Sequence, residues 1–431
     1  MSLFGITPYF RVTSAIAFVD SITTSNYYIG LSRIAEWDSP ASDVAPPDIV
    51  LSQQYYHEIK RSCFGIKKIK TNDVCLGIKR YDWTTATVYV QYDDEDIILN
   101  TKQFYVMTSE YKVFKCLFNN NGGQSTVMPT EAVQATGDGY IWKYMFTVNN
   151  SDRIKFLSNN IIPIREVVNS YVTGQIDVIQ VTNGGTAYNP LSPPTVTITG
   201  DGTLATVSTI TINVGTGAIE KIAIDTKGSN YSYATVNISG GGGTLATAKA
   251  VIAPDNGHTS NIFYELFAYY VMIRPSIEYS EGGIFTVNNN FRQAFIIKDP
   301  LDNNNVAIIN DAYPLTTRLD LDTTTPLFNT EFAALVVDDI VTIGDGSNDL
   351  GTARIASKLS PSAIYLTEIT SPDISVLNSV KKGSYTFEIS GSGVSLPVPK
   401  IQAGNILYIL NREPINRSDS QIESFYIPII F

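Results

Sequence analysis

The residues able to do chemistry in this chain are few and scattered. His57 and His258 lie far apart in sequence and have no metal-ligand partners at usable spacing. No Gly-x-Ser-x-Gly elbow accompanies either, so a histidine-dependent acyl transfer has no nucleophile setting. The glycines at 240–243 lack the lysine and following helix of a phosphate cradle and read as a turn. Two oxygen-rich runs could take a cation. Asp93-Asp94-Glu95-Asp96 precedes an apolar Ile-Ile-Leu and reads as a solvated hairpin tip. Asp345-Gly346-Ser347-Asn348-Asp349 places oxygens at alternate positions but lacks the bidentate glutamate of an EF-hand. Glycoside hydrolysis needs two facing carboxylates, and nothing in the sequence nominates a pair. The expectation is a protein without catalytic residues, metal or cofactor.

Composition narrows the partners. The net charge is −11, with Lys67, Lys68 and Lys70 the nearest thing to a basic patch, which argues against nucleic acid. Those three read as a short solvated run. Cys63, Cys75 and Cys116 are too few and too dispersed for a disulfide framework or zinc site, and read as reduced, half-buried thiols of a cytoplasmically made protein. No signal peptide and no run of 18 apolar residues is present, so no membrane partner is expected.

Only 16% of residues are charged, against roughly 25% in a typical soluble domain. Thr, Ser and Asn fill the polar share, alongside 30 glycines and 20 prolines, and these favour strands and turns over helices. The fold class expected is mainly β and multidomain, with a β-sandwich-like core and a few short helices near the N-terminus. Residues 11–22 are spaced as a helix, and 27–34 read as a strand. Pro46-Pro47-Asp48 looks like the opening of a second helix. Strands are expected at 86–91, 103–108, 111–118 and 291–301, and the C-terminus ends on apolar residues suited to a sheet.

Within GDGYIWKYMF (137–146), Tyr140, Trp142, Tyr144 and Phe146 alternate onto one face of a strand. They are candidate core or interface aromatics, since interface cores are rich in Tyr, Trp and Phe. From about residue 172 the texture changes to an internal repeat of roughly 40 residues, carried twice. Tyr188 answers Tyr231, TVTITG answers TVNISG, and TLAT occurs in both. Each tyrosine either pins a strand to the turn before it or, with Tyr233, offers a ring to a glycan.

Three stretches, GDGYIWKYMF, NNFRQAFIIKDPL and GNILYILNREPI, together resemble signatures of one family. It is the dimeric baseplate wedge subunit, present twice per wedge, of T-even-type contractile-tailed bacteriophages. KRYDW (79–83) and the first helix followed by YYIGLSR match the family's opening region. The resemblance covers about 1–165, 260–312 and 401–431. It implies a structural virion protein of the tail baseplate, assembled in the host cytoplasm, that forms a homodimer, joins other baseplate wedge proteins and has no enzymatic activity. On this reading 1–170 begins the core, 171–256 is an inserted β-module, 257–312 continues the core, 313–400 is a second inserted β-domain, and 401–431 adds C-terminal core strands. A carbohydrate-binding or adhesive tail module, acting through the repeat, is the alternative.

Overall fold

A computed structural model describes residues 5–37, 45–130, 133–167, 171–254, 256–358, 361–371, 373–418 and 420–431. The chain is mainly β and multidomain, with short helices, as its composition demands. It groups into two compact units. The first comprises residues up to Phe18, Cys75–Met272 and Pro428–Phe431; the second comprises Val19–Val74 and Ile273–Ile427. The stretches expected to form one continuous core are therefore shared between both units. Periodicity shows which segments are strands, but not which strands pair.

The first unit holds three sheets. In one, Lys112–Phe118 pairs with Tyr105–Met107 on one side and Ile141–Thr147 on the other, with Val133–Ala135 at the edge. In the second, Val74–Lys79 lies between Tyr270–Ile273 and Ile161–Ile164, and Ile427–Ile430 completes the edge. The third is the repeat module, ordered Thr195–Gly200, Ala234–Ser239, Thr247–Ile252, Ile176–Asn183, Ile219–Ser229, Thr203–Ile212. Exchanging the two repeats maps four of the five neighbour pairs in that order onto neighbour pairs, so the module approaches an internal two-fold relation.

In the second unit a five-stranded sheet runs Ala312–Pro314, Cys63–Lys68, Tyr27–Ser32, Asn289–Lys298, Asn405–Arg417. Six strands between Thr317–Leu321 and Tyr385–Ser395 close a barrel filled by Leu319, Val341, Ile343, Ile355, Ile364 and Leu366. Strand alternation places these side chains inward, where burial of each contributes about 1.5–3 kcal/mol.

Several local expectations change. The first helix spans Pro8–Thr24. The second starts later than Pro46: it runs Gln53–Ser62, because Ser52 caps it, its hydroxyl accepting from the Tyr55 N–H. Residues 86–91 make no regular ladder. Ala86 sits at φ 59°, and the segment is tied down by separate bonds such as Val90 N–H to Gln103 O. Lys67 pairs with Glu281 and Lys70 with Asp311, so that basic run is partly neutralised. All three cysteines are free and fully buried, and burial pushes the Cys63 and Cys75 thiols up to about 12.

Candidate functional site

The aromatic strand lies in the core. Tyr140 and Trp142 are fully buried against Tyr89, Phe114 and Cys116, with Trp83 and Tyr144 packed around them. Tyr140 stacks on Trp142 at 5.4 Å, and its hydroxyl donates to Gly123 O at 2.6 Å. The strict alternation stops at Met145. Tyr144 stands opposite Phe114 and Phe146 opposite Val113, so Met145 is an extra residue in the ladder. The bulge lets Met145 and Phe146 both be buried.

The repeat tyrosines are pegs. Tyr188 and Tyr231 are buried, whereas Tyr233 is 62% exposed. The Tyr188 ring covers Gly243, where a Cβ would lie 2.4 Å from the ring; Tyr231 covers Gly202 at the same distance. The hydroxyl of Tyr188 accepts from Ala246 N–H at 3.4 Å, and that of Tyr231 from Ala205 N–H at 3.3 Å. Each ring thus pins the TLAT turn of the other repeat. Leu204 and Leu245, at φ 66° and 68°, are the paired left-handed residues just before those two amides. Burial of Tyr188 and Tyr231 removes them as open glycan platforms.

The carboxylate runs are committed differently from expectation. Asp93 and Glu95 both bind Lys249, at 2.7 and 3.1 Å, and Asp94 accepts from Ile252 N–H. Asp96 pairs with Lys102 at 2.5 Å. The run is tied to the repeat module's strand Thr247–Ile252, with Asp94 and Glu95 still exposed to solvent. Asp345 turns an oxygen onto the N–H groups of Ser347 and Asn348, and Asp349 pairs with Lys381. Among the described residues no group of three His, Cys, Asp or Glu is placed to hold a metal ion.

The densest polar constellation joins residues that the sequence leaves far apart. Lys115 projects from Lys112–Phe118 on the face opposite Phe114 and Cys116, and its side chain is 0% exposed. It pairs with Glu265, at the end of the short helix Ile262–Glu265. Its ammonium also lies 2.5 Å from His258 Nδ1 and 3.9 Å from the centre of the Tyr92 ring. His258 Nδ1 is 2.7 Å from Glu265 Oε1, and Nε2 is 3.0 Å from Asp177 Oδ2. Asp177 in turn receives Lys227. The second Glu265 oxygen accepts from Thr259 N–H at 2.8 Å. A continuous chain of charge therefore runs from the four-stranded sheet, through the loop at His258, to two strands of the repeat module.

Its electrostatics are those of a closed brace. Burial alone would raise the Glu265 carboxyl, but Lys115 and His258 overcome it and hold it at about 2. Asp177 is likewise desolvated, and His258 and Lys227 hold it far below the usual carboxylate range. Burial drives the Tyr92 phenol well up, so it faces Lys115 as a neutral ring. One signal in the sequence points to this site: Lys115 interrupts the apolar run Val113–Phe118, and a lysine inside a core strand needs a counter-ion.

Acid should release the brace. Both carboxyls titrate lower in the folded than in the unfolded chain, so their contribution is complete above about pH 5 and is withdrawn as pH falls towards 2. Glu265 alone, moving from 4.5 to about 2, amounts to on the order of 3 kcal/mol. Urea unfolding of Glu265→Gln against the parent should show a gap that is widest near neutrality and closes in acid. A gap independent of pH would show that Glu265 is not ionised against Lys115.

No protein-family model matches this sequence, and no curated protein matches it.

Proposed function

We propose that this chain is a structural subunit of a contractile phage tail: a dimeric baseplate wedge protein that binds other wedge proteins and relays baseplate rearrangement by rigid-body movement. What carries the reading is the ionic chain that runs from the buried Lys115 through Glu265, His258 and Asp177 to the part-exposed Lys227. It fastens the repeat module to the sheet beside it, so the two transmit displacement together. The resembling signatures fall on sheet strands that support this use. GDGYIWKYMF supplies Ile141–Thr147, NNFRQAFIIKDPL supplies Asn289–Lys298, and GNILYILNREPI begins Asn405–Arg417. The last is a 13-residue strand at a sheet edge with Leu407 half exposed, the kind of backbone edge that a neighbouring chain can cover.

Multi-angle light scattering on the purified protein should return twice the chain mass of 47.2 kDa. A monomer that persists across micromolar concentrations would remove the dimeric wedge reading.

A further inference from the structure

The first unit contains a cleft of about 810 Å³ between the start of the first helix, the acidic loop and the repeat module. That volume lies within the roughly 300–1,000 Å³ of ligand sites. One wall is aromatic. Tyr9, 57% exposed, stacks on Tyr264 at 5.7 Å and 25°, and Phe267 meets Tyr9 edge-on at 6.4 Å. The platform is fixed: Thr13, one turn along the helix from Tyr9, hydrogen-bonds the Tyr264 hydroxyl at 2.9 Å and donates to Tyr9 O. Phe267 is held at φ 56°, a conformation that costs a bulky residue about 1 kcal/mol or more and that concentrates at ligand sites.

The other walls are polar, lined by Asp93, Asp94 and Asp96 together with Asn100, Asn230 and Asn256. Among the described residues lining the cleft none is basic. Lys249 and Lys102 neutralise Asp93 and Asp96 from outside the lining, which leaves carboxylate lone pairs without a large excess of charge. A cation would use only the acceptors. A sugar hydroxyl both donates and accepts, and so uses carboxylates and amides alike, while the C–H face of a pyranose covers an aromatic ring. A glycan carrying carboxylates would be repelled by the acidic wall.

We propose that this cleft binds an uncharged oligosaccharide, with a sugar ring on Tyr9 and hydroxyls on Asp94 and its neighbouring amides. Tyr231 borders the cleft with its ring seated on Gly202, while Tyr188 and Tyr233 lie outside the lining; the site stands independently of the assembly reading, since a monomer could bind as well.

The test is calorimetric titration of the full chain with maltohexaose, cellohexaose and chitohexaose, and with hexagalacturonate as the acidic counterpart. At least one neutral probe should saturate at millimolar or lower concentration. Tyr9→Ala should weaken it at least tenfold and Asp94→Asn several-fold, each in a variant whose circular dichroism matches the parent, with Tyr9→Phe, which keeps the ring, retaining binding. Tyr233→Ala should leave binding intact. Absence of binding by every neutral probe up to about 10 mM, a concentration at which even a weak site of a few kcal/mol registers, would overturn the proposal. So would equal binding of hexagalacturonate, or binding indifferent to Tyr9→Ala.

Discussion

Replacing Lys115 with methionine should destabilise the first unit by about 3–5 kcal/mol, because it strands Glu265 as a buried carboxylate without its cation. For a unit of this size that corresponds to a fall of roughly 10 °C in melting temperature. Methionine fills most of the lysine stem, so a cavity contributes little and the loss is chiefly electrostatic. Neutralising the partner as well separates the two causes. Glu265→Gln keeps an acceptor for the Thr259 N–H while removing the charge. The double variant Lys115→Met, Glu265→Gln should therefore recover at least half of what Lys115→Met loses. Because the two residues touch, the changes must not add. A loss under about 1 kcal/mol in the single variant, or strict additivity in the pair, would mean that the ion pair is not what fastens sheet to module.

How far the sequence discloses this architecture depends on the range of the interaction. The aromatic alternation from Tyr140 to Tyr144 is local and readable, and the strand is there. The bulge at Met145 depends on Val113 and Phe114 in another strand, and no period within ten residues contains it. The twofold repeat is plain from TLAT and the paired tyrosines, yet the reach of each tyrosine is not. Tyr188 meets Ala246 across 58 positions, a pairing set by how the repeats interleave. The acidic run misleads for the same reason, since Lys249 neutralises Asp93 from 156 positions away. The ionic chain draws on five residues between Lys115 and Glu265, each unremarkable alone. Only the lysine inside an apolar strand betrays that a partner must exist.

The interlocked repeats lead to the second large effect: Gly202→Ala and Gly243→Ala should each cost about 3 kcal/mol or more. At Gly243 an added Cβ would sit 2.4–2.6 Å from three atoms of the Tyr188 ring; at Gly202 it would sit 2.4 and 2.5 Å from Tyr231 and 2.6 Å from Ser229 O. Real carbon contacts do not close to such distances, so the ring must leave its seat. Losing it withdraws a buried aromatic, worth about 3–5 kcal/mol in a large-to-small change, and frees the Ala246 or Ala205 amide it caps. Both glycines sit under the tyrosine of the other repeat in the same TLAT turn, and Gly202 also meets Ser229 O, so Gly202→Ala is the costlier of the two. Cycles with Tyr188→Ala locate the cause. Once the ring is absent the Cβ at Gly243 meets nothing of it, so Gly243→Ala should add little to Tyr188→Ala, whereas Gly202→Ala on Tyr231→Ala should keep the part of its cost that comes from Ser229 O. Chemical unfolding followed by near-ultraviolet circular dichroism reads both the stability and the seating of the tyrosines. If Gly243→Ala cost less than about 1 kcal/mol, or if its cost persisted after Tyr188 was removed, the repeats would not be locked by exchange of these rings.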